Sequence, residues 1–234
     1  MYTLHIANKN YSSWSLRPWL LLRERNIAFS EQLTPFSSDA RHPTSELYRH
    51  FSPSGRVPCL IDGGATVWDS LAIVEYLAER HPGVWPVDGT ARAWARCVCA
   101  EMHSGFSALR TLHTMNCGLR VRVAERPPAL VADIARIEDI WNEGLARFGG
   151  PFLAGAEFSA ADAFFAPVAF RFQTYGVIIA APAEDYLRRL MALPGMRAWE
   201  AAALVEPWRI PSHENDALRT GELHADLRTH VTAA

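Results

Sequence analysis

The chain has 234 residues, 49% hydrophobic and 21% charged, the balance of an ordinary globular protein with ample material for a buried core. Its 23 Lys and Arg against 25 Asp and Glu give a formal net charge of −2 with no block of like charge, so no electrostatic footprint for nucleic acid is visible. The opening M-Y-T-L-H-I-A-N-K-N has no basic segment followed by a long apolar run, and W-L-L-L at 19–22 is too short to cross a bilayer; a cytoplasmic protein without a membrane span is expected.

Residues 2–6 read as a short strand, 16–25 as a helix and 27–33 as a second strand. Between the first strand and the helix stands Y-S-S-W-S-L-R-P-W, with Ser12, Ser13 and Ser15 inside four residues. Pro18 has no N–H and fits only the first turn of a regular helix. The cap is therefore expected at Ser15 or later, with Ser12 and Ser13 in the preceding turn; the alternative is an earlier start with a kink at Pro18. Residues 36–53 are rich in Ser, Pro, His and Arg and read as a loop with one irregular helical turn.

In S-G-R-V-P-C-L-I-D at 54–62, Pro58 opens a strand over 59–62. Its plain role is that of an edge-strand proline; a cis Val57–Pro58 bond would instead turn the N–H and C=O of Val57 outward, where a peptide can pair with them. Gly63 and Gly64 make a tight hairpin to a strand over 65–68. Asp69 and Ser70 then precede a helix over 70–80. Each is an N-cap in the plain reading. A helix start also presents free N–H groups to a carboxylate, and a nearby Asp suits an ammonium group.

After Trp85-Pro86 the chain turns Ala-, Leu- and Arg-rich with helical spacing, broken at Pro127-Pro128, Gly149-Gly150-Pro151, Pro182 and Leu193-Pro194-Gly195. Four to six helices and no strand are expected there, then a polar tail along the surface or loose from Ser212. In F-S-A-A-D, Ser159 is the N-cap and Asp162 reaches back to it as a capping box. Cys59, Cys97, Cys99 and Cys117 show no metal spacing and read as buried free thiols; Cys97 and Cys99 fall about 200° apart around a helix.

Together, the Ser-rich first turn, the Val-Pro before the third strand, Asp-Ser before the next helix and the helical second half resemble the cytosolic glutathione transferase superfamily over roughly residues 1–210. S-S-W-S-L-R is similar to the S-S-C-S-W-R signature of the zeta class and the S-P-F-S-R-R of the tau class, and V-W-D-S-L-A-I-V-E-Y-L to the family's acid-Ser element. The resemblance implies an α+β fold: a thioredoxin-like βαβ-ββα domain over 1–83, a linker at 84–89, an all-α helical domain over 90–211 and the tail at 212–234. It implies glutathione as co-substrate, no metal, and a homodimer. Ser12 matches the serine that hydrogen-bonds the glutathione sulfur, with Ser13 in reserve. Arg56 matches the position that meets the glycyl carboxylate, Val57 with Pro58 the cysteinyl backbone, and Asp69 with Ser70 the γ-glutamyl end.

Trp14 stands where the zeta signature has Cys. The helix A-R-C-V-C-A-E-M-H-S-G-F-S-A-L-R offers Met102, His103, Phe106 and Arg110, which with Trp14 are the expected second-substrate wall; Met102 and Phe106 share a face at i, i+4. The leading expectation is a glutathione transferase that holds the thiolate with a serine hydroxyl. The alternatives are a glutathione-dependent isomerase or dehalogenase, similar to maleylacetoacetate isomerase, and a non-catalytic binding module on the same fold.

Overall fold

The computed structural model describes residues 1–39 and 41–228. Strand β1 (Tyr2–Ile6) runs into helix α1 (Ser13–Glu24) and strand β2 (Phe29–Leu33), and β1 and β2 pair in parallel, which requires the crossover that α1 supplies. A short helix α2 (Thr44–Tyr48) interrupts the following loop. Strands β3 (Cys59–Asp62) and β4 (Ala65–Trp68) form the hairpin, with Asp62 opposite Ala65 and Gly63 at φ +56°. Helix α3 (Ser70–Ala78) follows. The sheet order is β2-β1-β3-β4, with β3 antiparallel to both neighbours.

Helix α1 starts at Ser13, with Ser12 as its N-cap residue and Pro18 inside it. The expectation of a cap at Ser15 or later is therefore corrected in favour of the earlier start. Leu16 N–H to Ser12 C=O at 3.2 Å closes the first turn. Pro18 leaves one carbonyl without its intrahelical partner, a modest loss that the earlier start offsets with this bond and with the buried Ser12–Ser15 hydroxyl contact.

The helical half consists of α4 (Gly89–Ser104), α5 (Ser107–Leu112), α6 (Pro128–Phe148), α7 (Ala160–Thr174), α8 (Ala183–Ala192) and α9 (Pro194–Leu204). Helix α7 is its axis. All but one of its side chains are buried, and it packs on α1 and α4. The capping box forms at its start, with Asp162 accepting from Ser159 N–H at 2.9 Å, and the same carboxylate also takes Leu153 N–H and the Tyr186 hydroxyl at 3.0 Å each. Among the described residues no helix is long and apolar enough to cross a membrane.

Three further expectations are corrected. A strand β5 (Leu119–Val123) lies between α5 and α6, and the residues read as a polar tail form helix α10 (Pro211–Ala217) and strand β6 (Gly221–Asp226), which pairs antiparallel with β5. The period-two alternation L-R-V-R-V, with Leu119 and Val121 buried, is the signal in the sequence; its partner lies about a hundred residues away and is itself polar. The tail is also tied down: the Arg228 side chain is 3% exposed and pairs with Glu214 and Asp226 at 2.6 Å each. Residues 229–234 of that segment lie outside the described residues. Finally, Cys97 is exposed while Cys59, Cys99 and Cys117 are buried and free.

Candidate functional site

Two adjoining cavities open where α1 begins. The larger, of about 660 Å³, is lined by Ser12, Ser13 and Trp14 from the start of α1, Arg56 and Val57 from the loop before β3, and Arg110 and Arg171 from α5 and α7. The smaller, of about 560 Å³, has Pro58, Asp69, Ser70 and His103 on its wall and shares Trp14, Arg56, Val57 and Arg110 with the first. Gly55 must be glycine: its φ is +64°, and a Cβ there would come within 2.8 Å of the Ser45 carbonyl oxygen. That close approach of α2 to the loop sets Arg56 over the cavities. The Val57–Pro58 bond is cis.

The serines differ in what they touch. The buried Ser12 hydroxyl donates to Ser15 Oγ at 2.7 Å, and Ser15 Oγ accepts from Ala7 N–H at 3.3 Å. The half-buried Ser13 Oγ accepts from Arg171 Nη2 at 3.3 Å. Ser15, favoured by the Pro18 argument as a cap, is instead a buried support for Ser12.

Asp69 is a non-glycine residue at φ +76°, ψ +137°, a costly backbone state that folded structures tend to hold at functional sites. One carboxylate oxygen accepts from Leu71 N–H at 2.9 Å; the other stands 3.6 Å from His103 Nε2. Burial holds the His103 imidazole below its ordinary pKa, Asp69 opposes this, and Arg17 and Arg110 add to the lowering. Ser70 is fully buried, and Arg17 Nη1 donates to its hydroxyl at 3.4 Å.

Trp14, His103 and Arg110 therefore stand at the cavities, whereas Met102 (2% exposed) and Phe106 (7%) belong to the hydrophobic core and line neither. Their i, i+4 relation fails because α4 ends at Ser104: Gly105 N–H closes on the Glu101 carbonyl at 2.8 Å, and Phe106 follows at φ +57°. The sequence reading missed Tyr11, His213 and Arg171. His213 of α10 stacks on Tyr11 with centroids 5.1 Å apart and meets Phe36 at 5.0 Å, roofing the larger cavity. No local pattern marks these residues; only the return of the C-terminal segment and the burial of α7 bring them there.

Two family models cover most of this framework: glutathione S-transferase, N-terminal domain, over residues 11–80, and glutathione S-transferase, C-terminal domain, over 121–202. The chain belongs to the cytosolic glutathione transferase superfamily. Within it, the chain is 40% identical to the dichloromethane dehalogenase of Methylophilus leisingeri over 58 residues, 25% of this chain and only 21% of that protein. It is 29% identical to the maleylacetoacetate isomerase of Rattus norvegicus over 160 residues, 66% of this chain and 70% of that protein. A glutathione transferase homologue from Burkholderia, solved with bound glutathione, superposes with a TM-score of 0.62 at 22% identity, covering 86% of this chain and 97% of that one; at that identity the match is one of fold.

Proposed function

We propose that this transferase-family protein binds glutathione across the two cavities, that Ser12 donates a hydrogen bond to the sulfur, and that the resulting thiolate attacks a small electrophile. The observation that carries the reading is convergence. Ser12 and Ser13, Arg56 with Val57, and Asp69 with Ser70 come from three distant segments and meet on two cavities that share a wall.

A free thiol near pH 7 is mostly protonated, since its pKa is about 8.5, and the thiolate is the nucleophile. Sulfur at the start of α1 would meet the positive end of a helix dipole and the Arg171 guanidinium behind Ser13. The Ser12 proton would swing from Ser15 to sulfur, and the Ser15 hydroxyl, already accepting from Ala7 N–H, would donate across the same contact. At the other end, Ser70 and the first turn of α3 would take the γ-glutamyl carboxylate, and the exposed Asp69 oxygen its ammonium. In conjugation the C–S bond forms as the leaving group departs with its electron pair, and the thiol proton passes to solvent.

A second reading keeps the thiolate and makes the protein an isomerase, supported by the maleylacetoacetate isomerase match over 70% of that protein; Trp14 in place of the zeta-class Cys speaks against it. By the same resemblance the protein is proposed to be a homodimer with a domain boundary at 84–89, which sedimentation and limited proteolysis would decide. Retention on immobilised glutathione tests the main proposal: the wild type should be held and Asp69→Ala released. A wild type that neither binds glutathione nor conjugates a chlorinated nitroaromatic would leave the binding-module reading in its place.

A further inference from the structure

The larger cavity carries more positive charge than glutathione accounts for. Two guanidinium groups, those of Arg17 and Arg110, each lie over the Trp14 ring at 4.2 Å from its centroid. Arg171 sits behind Arg110, its Nη1 on the Arg110 carbonyl at 3.4 Å and on the His113 carbonyl, its Nη2 on Ser13. The partners of all three arginines are hydroxyls and carbonyls: Ser70 and Met102 for Arg17, His103 for Arg110. Among the described residues none of the three forms an ion pair with a carboxylate.

A buried guanidinium without a counter-ion is expensive. Arg17 and Arg171 are 2% and 5% exposed. Burial, with Arg110 as a repelling neighbour, lowers their pKa values to about 9 and about 10, though the Tyr175 phenol partly offsets this for Arg171. Of the acids nearby, Asp69 and the Cys99 thiol offset part of this for Arg17 without an ion pair, Asp69 facing His103 instead; Asp216 on the cavity wall pairs with Arg219, and Glu214 of the same helix with Arg228. Burial also lowers the pKa of His213 on that wall.

Glutathione, placed as proposed, brings one carboxylate to Arg56 and the other to Ser70 beside Arg17. Arg110 and the spare donors of Arg171 are left over. Arg171 Nε is buried with no partner, and Arg110 has used one of its five N–H donors on His103. Trp14 and the His103 carbonyl fix the Arg110 fork in place before any ligand arrives, so little ordering is needed on binding.

We infer that the larger cavity is built for an electrophile that itself bears a carboxylate, held by Arg110 and Arg171 beside the sulfur. The identity of the nucleophile rests on the glutathione reading; the preference for an anion does not. Esterification removes the negative charge from such a pair and leaves only a weaker, neutral carbonyl acceptor.

The test uses chloronitrobenzoate and its methyl ester, titrated calorimetrically into the full-length protein with and without saturating S-methylglutathione. The acid should bind at least about tenfold more tightly than the ester, and should still do so with S-methylglutathione present. Arg110→Gln, at a half-buried position, should bring the two ligands within about threefold of one another, while Arg171→Lys should retain part of the preference and guards against a folding defect at that site. Equal binding of acid and ester by the wild type, an undiminished preference in Arg110→Gln, or loss of acid binding when S-methylglutathione is added would each overturn the inference; the last would place the acid in glutathione's own carboxylate sites. If S-methylglutathione shows no binding by calorimetry or equilibrium dialysis, the glutathione proposal fails on its own and the acid-to-ester ratio still decides this one.

Discussion

Replacing Ser12 with Ala removes one hydroxyl and leaves the backbone that closes the first turn of α1 in place. The hydroxyl is buried and 2.7 Å from Ser15 Oγ, so solvent does not stand in for it when it is lost. A hydrogen bond to a charged acceptor contributes about 1.5–3 kcal/mol, and one pKa unit corresponds to about 1.4 kcal/mol, so the bound thiol should rise by about 1 to 2 units. If Ser12 holds that thiol near about 6.5, roughly three quarters is ionised at pH 7; returned to about 8.5, only about 3% is. Conjugation at pH 7 should then fall by an order of magnitude or more and recover as the pH is raised through about 8.5. The assay is the ultraviolet thiolate absorbance of the glutathione complex across a pH series, with initial rates measured in parallel. Ser13→Ala should shift the curve less, because Ser13 acts on Arg171 and only indirectly on sulfur. A titration curve in Ser12→Ala that overlays the wild type, or a larger shift in Ser13→Ala, would refute the assignment.

His113 is fully buried, stacks on Tyr175 at 4.1 Å and has neither ring nitrogen partnered; burial, then Arg126 and Arg171, lower its pKa from 6.5 to about 3. Between those values the unfolded chain takes a proton that the folded chain refuses, so stability falls as pH drops through that window, and His113→Phe should flatten the acid limb of a melting-temperature profile; an unaltered slope would contradict this. Asp162→Ala strips partners from two buried N–H groups and from the Tyr186 hydroxyl, at about 1–3 kcal/mol for each group left unsatisfied, and calorimetry should show a fall in melting temperature of about 6 °C or more. Arg228→Ala leaves Glu214 without its charge partner and frees β6, so limited proteolysis should cut after α9 far faster than in the wild type; equal rates would show that the tail is held by the β5 pairing alone.

The strands at 59–62 and 65–68 were legible from the sequence because a Gly-Gly hairpin between two short apolar runs is a local signal, and β1 from its apolar run. The capping box at Ser159 and Asp162 was legible for the same reason, since all its atoms lie within one turn. The N-terminus of α1 was misjudged because the Pro18 argument weighed one lost hydrogen bond without the Leu16–Ser12 and Ser12–Ser15 bonds that the earlier start forms. β5 and β6 were missed because a strand of five residues with a polar partner gains its stability only from pairing across a long stretch of chain.

The short patterns that line the two cavities were readable residue by residue: serines before a helix, Arg-Val-Pro before a strand and Asp-Ser before another helix, each with a backbone consequence. Tertiary structure alone decided how those pieces combine. It set Ser15 under Ser12, placed Met102 and Phe106 in the core, and brought Arg171 and His213 to the cavity from positions more than 150 residues beyond Ser12. The physical reason is that caps and turns are fixed by bonds between neighbours in the chain, whereas burial and charge pairing depend on which distant surfaces the packing of α7 and the return of α10 press together.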